Sequence, residues 1–169
     1  IFIIFYNSEV QKMATRSNIG MMLPDGKMKF VYCHYDGYPE GVGATLLDSY
    51  NTPELASELL SFGNMSFLAS EIHPSGDTHS FDTPEKNVTV FYNRDRGEDE
   101  NDAQFATIEE WHKEHSSCID YLYLFSAGRW FVKNVTEGLS WDLVANCLPE
   151  YSSSVTGEDY QFLPQSLTY

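Results

Sequence analysis

Residues 32–43, Tyr32-Cys33-His34-Tyr35-Asp36-Gly37-Tyr38-Pro39-Glu40-Gly41-Val42-Gly43, gather a thiol, an imidazole and two carboxylates beside three glycines and a proline. Thiolate, imidazole and carboxylate are all competent zinc ligands. A thiol, or the nearby Ser17 hydroxyl, beside an imidazole is also the pairing that nucleophilic catalysis uses. Strand geometry works against both readings, because neighbouring residues of a strand point to opposite faces and Cys33 is not expected to share an ion or a proton with His34. Asp36, His73 and His79 are the other candidate partners of His34, but no C-x-x-C pair, helix-start cysteine or Gly-x-Ser-x-Gly elbow accompanies them. Gly37, Gly41 and Gly43 lead into a helix start, where free N–H groups attract anions. Their spacing matches neither a phosphate loop nor a dinucleotide fingerprint. The expectation is a scaffold in which Tyr32, Cys33, His34, Asp36, Gly37, Tyr38, Pro39, Glu40, Gly41 and Gly43 shape a strand–turn–helix passage. A small metal-binding or enzymatic site at residues 33–40 is the alternative; no metal and no cofactor are expected.

A second chemistry is electrostatic. The chain carries a formal charge of −15. Phosphate neutralisation needs clustered Lys and Arg, so direct nucleic-acid binding is not expected, nor is attachment to an anionic membrane. Acidity of this size serves solubility in many small proteins. It can also imitate DNA, whose duplex presents a negative charge roughly every 1.7 Å. The densest run lies at residues 94–102 (RDRGEDEND), which lacks the alternate spacing of an EF-hand loop. Asp95, Glu98, Asp99, Glu100 and Asp102, with Glu109, Glu110 and Glu114 on the following helix, are expected to form one acidic ridge that binds a partner.

At 169 residues the chain is long enough for one domain with a proper core. Cys33, Cys118 and Cys147 are an odd, scattered set, which suggests a reducing compartment rather than a disulfide framework. The opening is apolar too briefly for a bilayer span, which takes roughly 20 residues, and it lacks the basic start of a secretory signal. Met13-Ala14-Thr15-Arg16-Ser17 reads like a natural start, so residues 1–12 are expected to be an upstream extension. Residues 13–150 are expected to form the domain, and residues 151–169 a Ser-rich, partly mobile tail.

Pro24-Asp25-Gly26 predicts a hairpin between strands at 17–23 and 27–34. Met28, Phe30, Tyr32 and His34 then share one face of the second strand, and Val31 and Cys33 the other. Helices are predicted over 42–50 and from Thr52-Pro53-Glu54 to a C-terminal Gly63, with a helical or irregular segment over 65–72. A loop over 73–87, a strand over 88–93 and the charged loop over 94–102 follow. Thr107-Ile108-Glu109-Glu110 is a capping box opening a helix with Trp111 and His115. Strands at 119–125 and 130–132 flank the turn Ser126-Ala127-Gly128-Arg129, and Ser140 caps a short helix to Cys147 that Pro149 ends. The pattern predicts an α+β fold, a mixed and mostly antiparallel sheet with helices packed on it.

The segments Ala14-Thr15-Arg16-Ser17-x-Ile19, residues 32–43, Leu46-Leu47-x-x-Tyr50, Arg94-Asp95-Arg96-Gly97-Glu98 and Tyr121-x-Tyr123-Leu124-Phe125-x-x-Gly128-Arg129-Trp130 together carry a resemblance. The chain resembles a family of small acidic proteins encoded by bacteriophages, prophages and other mobile elements. The likeness covers most of residues 13–133, and residues 32–43 are its most specific part. It implies a genomic setting more than a reaction, and an accessory role outside defence fits it too. The chain is also similar to anti-CRISPR proteins of the type that inhibits Cas9. That resemblance implies a non-enzymatic inhibitor in the cytoplasm of a bacterial host, with the Cas9–guide RNA complex as its partner. Cas9 holds nucleic acid in positively charged channels toward which an acidic protein is steered. Residues beyond Lys133 depart from the shared pattern.

Overall fold

A computed structural model describes residues 15–114 and 118–168, with Glu114 described in its backbone alone. The expectations for residues 1–12 and His115, and for the Glu114 carboxylate, fall outside what is described.

The Pro24-Asp25-Gly26 turn folds back β1 (Ser17–Met22) on β2 (Lys27–Cys33) in antiparallel register. The Asp25 carboxylate accepts from Lys27 N at 2.9 Å and Leu23 N donates to Lys27 O at 2.8 Å, so the turn satisfies its own backbone. Two helices follow, α1 (Ala44–Ser49) and α2 (Pro53–Ser61), preceded by a π-helical turn at Pro39–Gly43. Thr52 caps α2 by accepting from Leu55 N at 3.2 Å, with Pro53 in the first turn. Then come β3 (Met65–Phe67), β4 (Val90–Phe91), α3 (Tyr92–Arg96), β5 (Gln104–Thr107) and α4 (Ile108–Glu114). Strands β6 (Tyr121–Ser126) and β7 (Arg129–Asn134) form the second hairpin, closed by Ala127 and Gly128 at φ of 48° and 81°. That two-residue turn has the twist antiparallel strands need. Last are β8 (Asp142–Leu143), a 3-10 turn at Val144–Cys147, α5 (Pro149–Ser152) and 3-10 helices at Gly157–Phe162 and Gln165–Leu167.

Among the described residues the strands make one mixed sheet in the order β4-β3-β2-β1-β6-β7-β8, and β5 pairs with β2 beside β3. This is the α+β architecture the sequence predicts. β1 runs parallel to β6, and β2 parallel to β3; the other pairings are antiparallel. No helix among the described residues is long and apolar enough to cross a membrane.

Strand alternation divides the core in two. Ile19, Met21, Val31, Cys33, Tyr123, Phe125, Trp130 and Val132 face the layer of α1 and α2, where Val42, Leu46, Tyr50, Leu59 and Leu60 cover them. Met28, Leu122, Leu124 and Phe131 face the opposite way, toward Trp111 of α4, Trp141 and Leu167. Each large apolar side chain so enclosed contributes roughly 1.5–3 kcal/mol. The predicted two faces of β2 are the observed ones.

Several segments differ from the sequence expectation. Residues 65–67 are strand, because the end of β2 leaves an open edge: His34 N donates to Met65 O at 3.1 Å and Tyr35 N to Ser66 O at 3.0 Å. Local apolar pattern cannot announce such a partner. Tyr92–Arg96 is a helix rather than strand end and loop, closed by Gly97 at φ 65°. Residues 140–147 form an edge strand and a 3-10 turn, and Pro149 opens a helix instead of ending one. The C-terminal segment past residue 150 also packs: Leu167 is buried, and Ser126 Oγ donates to Phe162 O at 2.7 Å.

Candidate functional site

The 32–43 junction is tied down at several points. Gly37 N donates to Thr15 O and Val42 N to Asp36 O, each at 2.9 Å, while the buried Tyr123 hydroxyl donates to Gly37 O at 2.6 Å. Asp36 sits at φ 57°. A Cβ on Gly41 would lie 2.3 Å from Asp36 O, so only glycine lets the π-helical turn close on the loop before it. Pro39 opens that turn, Glu40 is exposed, and the Tyr38 hydroxyl donates to Asp36 Oδ1 at 3.2 Å. Gly43 nestles between Val144 and Tyr123.

Cys33 and His34 part as strand geometry demands. Cys33 is fully buried among the α1 and α2 contacts, its Sγ 3.6 Å from Tyr35 O, and burial pushes its thiol up to about 12. A thiol so placed is neither an activated nucleophile nor a ready metal ligand. His34 turns to the other side, where its Nδ1 lies 2.6 Å from the Tyr32 hydroxyl. Burial holds the Tyr32 phenol up at about 12, against the opposing pull of Arg16, so it keeps its proton. The two rings share one hydrogen bond, its direction following the His34 tautomer. His73 and His79, the other candidate partners, are engaged elsewhere: His73 Nε2 with Glu58 at 2.5 Å, His79 with Thr89 O and Glu85 N. No group of three or more His, Cys, Asp or Glu side chains able to hold a metal ion lies among the described residues.

Burial, then the cations Arg16 and Arg96, lower the His34 pKa from its ordinary value. The unfolded chain thus binds a proton near pH 6.5 that the folded chain still refuses. This contribution to stability is intact above that pH and is lost as pH falls below it. A denaturation midpoint followed from pH 8 to 5.5 should fall less steeply in His34→Gln than in the unaltered protein. An imidazole of His34 titrating by NMR at or above the free-histidine value would contradict this.

The predicted acidic ridge divides into parts with different roles. Asp95 is a structural charge, not a surface one: its side chain is only 3% exposed. It takes Arg94 Nε at 2.7 Å and Nη2 at 3.0 Å, accepts from Phe91 N at 2.8 Å, and has His79 Nε2 at 3.4 Å. Arg94 in turn donates to Ile72 O and Thr89 O, binding the long 73–87 loop to α3. This corrects the assignment of Asp95 as a partner contact.

Glu98, Asp99, Glu100 and Asp102 are exposed. Their loop is pinned from below by Asn101, whose Nδ2 donates to Glu98 O at 2.8 Å and Asp99 O at 3.2 Å, and whose N donates to Asn93 Oδ1 at 3.1 Å. Asn101 O lies against Gly63, where φ is 82° and a Cβ would come within 2.2 Å, and accepts from Asn64 N at 2.7 Å. Glu98 pairs with Arg96 at 3.2 Å, and Asp102 accepts from Asn93 Nδ2 at 2.8 Å.

Glu109 and Glu110 are exposed on α4, where Glu110 serves the predicted capping box: it accepts from Thr107 N at 3.0 Å and its own N donates to Thr107 Oγ1 at 3.1 Å. Between this pair and the 98–102 loop stands β5, which sequence alone does not suggest. Its four residues span roughly 14 Å at about 3.4 Å each.

Beside β5 lies a cleft of about 690 Å³ walled by Asn18, Phe30, Tyr32, Asn64, Gln104, Phe105, Ala106, Glu110, Trp111 and Ile119. Sequence reasoning misses it. The one signal is Asn18, a polar residue placed between buried neighbours on a central strand.

Comparison with protein-family models, curated proteins and solved structures finds no match to this chain.

Proposed function

We propose that this protein is a non-enzymatic anti-defence factor that binds a bacterial nuclease complex, Cas9 with its guide RNA, and competes with nucleic acid for a basic channel. The observation that carries the reading is the 98–102 loop. It presents Glu98, Asp99, Glu100 and Asp102 to solvent on a backbone fixed by Asn101 and Gly63. A charged loop already held in one conformation loses little entropy on docking. The net charge of −15 supplies the long-range attraction, which raises encounter rates with a basic groove. The resemblance to accessory proteins of mobile elements supplies the setting.

Glu109 and Glu110 form a second, separate contact in this account, and Asp95 is left out of it. The rival reading, chemistry at residues 33–40, finds Cys33 buried and protonated. Mixed at low salt with purified guide-loaded Cas9, the protein should form a stable complex and protect target DNA from cleavage. Absence of a complex together with undiminished cleavage would end the proposal.

A further inference from the structure

We infer that the cleft beside β5 is a binding site for an unphosphorylated nucleobase or nucleoside that presents an amino group next to a ring nitrogen. Asn18 carries the inference. It is 6% exposed and lines the cleft; its side-chain amide makes no hydrogen bond to another described residue, and its polar atoms keep solvent contact in the cleft. An amide that faces the solvent of a cleft with no protein partner is free to exchange water for a ligand of matching donors and acceptors.

The neighbouring amide makes the contrast. Asn64 lines the same cleft, yet its Oδ1 accepts from Tyr32 N at 2.8 Å and its Nδ2 donates to Asn101 Oδ1 at 3.1 Å. Asn64 is therefore wall; Asn18 and the Trp111 indole N–H, which is buried without a partner among the described residues, are the polar groups with unused capacity. A side-chain amide offers one donor and one acceptor on a planar fork. That fork matches an amino group beside a ring nitrogen, the edge by which asparagine pairs with adenine.

The walls suit a flat ring. Phe30 is half-buried against the core side chain Trp111, and Phe105 is 62% exposed at the mouth, where a large apolar side chain has no packing reason to stand. Aromatic faces of this kind hold bases by stacking. The volume falls within the roughly 300–1,000 Å³ of small-molecule sites. Glu110 lines the cleft and, among the described residues, neither Lys nor Arg does. A phosphate is thereby disfavoured and a neutral heterocycle favoured. The site adjoins the acidic loop through Asn64, which bonds Asn101, and includes Glu110, but nucleoside binding does not use the carboxylates of residues 98–102, so its fate does not decide that reading.

Adenosine titrated into the protein should change tryptophan fluorescence saturably below about 1 mM, a weak-ligand affinity. N6,N6-dimethyladenosine, which lacks the amino donors, and the Asn18→Ala variant should each bind about 10-fold or more weakly, the loss expected for one bidentate amide pair. Adenosine monophosphate should also bind more weakly than adenosine. Thermal unfolding reports whether Asn18→Ala folds; if it does not, Phe105→Ala at the exposed mouth and the dimethyl analogue carry the test, with the same weakening expected. No saturable binding, equal binding of the dimethyl analogue, or tighter binding of the monophosphate overturns the inference and leaves Asn18 to an ordered water.

Discussion

Replacing Glu98, Asp99 and Glu100 together by lysine will weaken binding to guide-loaded Cas9 by at least about 100-fold, or ~2.7 kcal/mol. All three side chains are exposed, and the ion pair that Glu98 makes with Arg96 lies at the surface, where such pairs contribute little. Stability should accordingly move by no more than about 0.5 kcal/mol. The loop keeps its shape, because Asn101 holds the backbone of residues 98 and 99 and does not use their carboxylates. Both quantities are accessible on one preparation, by equilibrium binding and by thermal unfolding. A variant that folds normally and binds as before would reduce the loop to a solubility device.

Asp95→Ala, only three positions before that loop, should do the opposite. Removing the carboxylate leaves Phe91 N without its acceptor and leaves Arg94, among the described residues, with only the Ile72 and Thr89 carbonyls to donate to. Losing a buried acceptor and leaving its donor unsatisfied costs about 1–3 kcal/mol. The loss should appear as a lowered denaturant midpoint, and Asp95→Asn, which retains an acceptor for Phe91 N, should be milder. Near-native stability with impaired binding would return Asp95 to the contact surface and contradict its assignment as a structural charge. Set beside the triple lysine variant, this pair separates a carboxylate that organises the fold from carboxylates that face outward.

What could be read from the sequence was local. Pro24-Asp25-Gly26, the Thr52 cap and the Thr107–Glu110 capping box each contain their own hydrogen-bond partners, so residue type and spacing suffice. The alternation of Met28 and Tyr32 against Val31 and Cys33 likewise follows from strand geometry, and it separates Cys33 from His34 as anticipated. Features that depend on distant partners were hidden. β3 and β5 are short segments made strands by the open edge of β2, which pairs with each over part of its length. Asp95 reads as one more surface acid until His79 and Arg94 are found around it. The cleft joins Asn18 to Asn64, Phe105 and Trp111, residues far apart in the chain, and no spacing rule could assemble them.

Competition between the 98–102 loop and nucleic acid for one basic channel is the central step of the proposed inhibition. The most direct measurement is the affinity of the protein for guide-loaded Cas9 with and without prebound target DNA, at low and at physiological salt. Competition predicts that prebound DNA abolishes binding, and that affinity for the DNA-free complex falls steeply as salt rises, because exposed charges are screened. Simultaneous binding of protein and DNA, with affinity indifferent to salt, would contradict it.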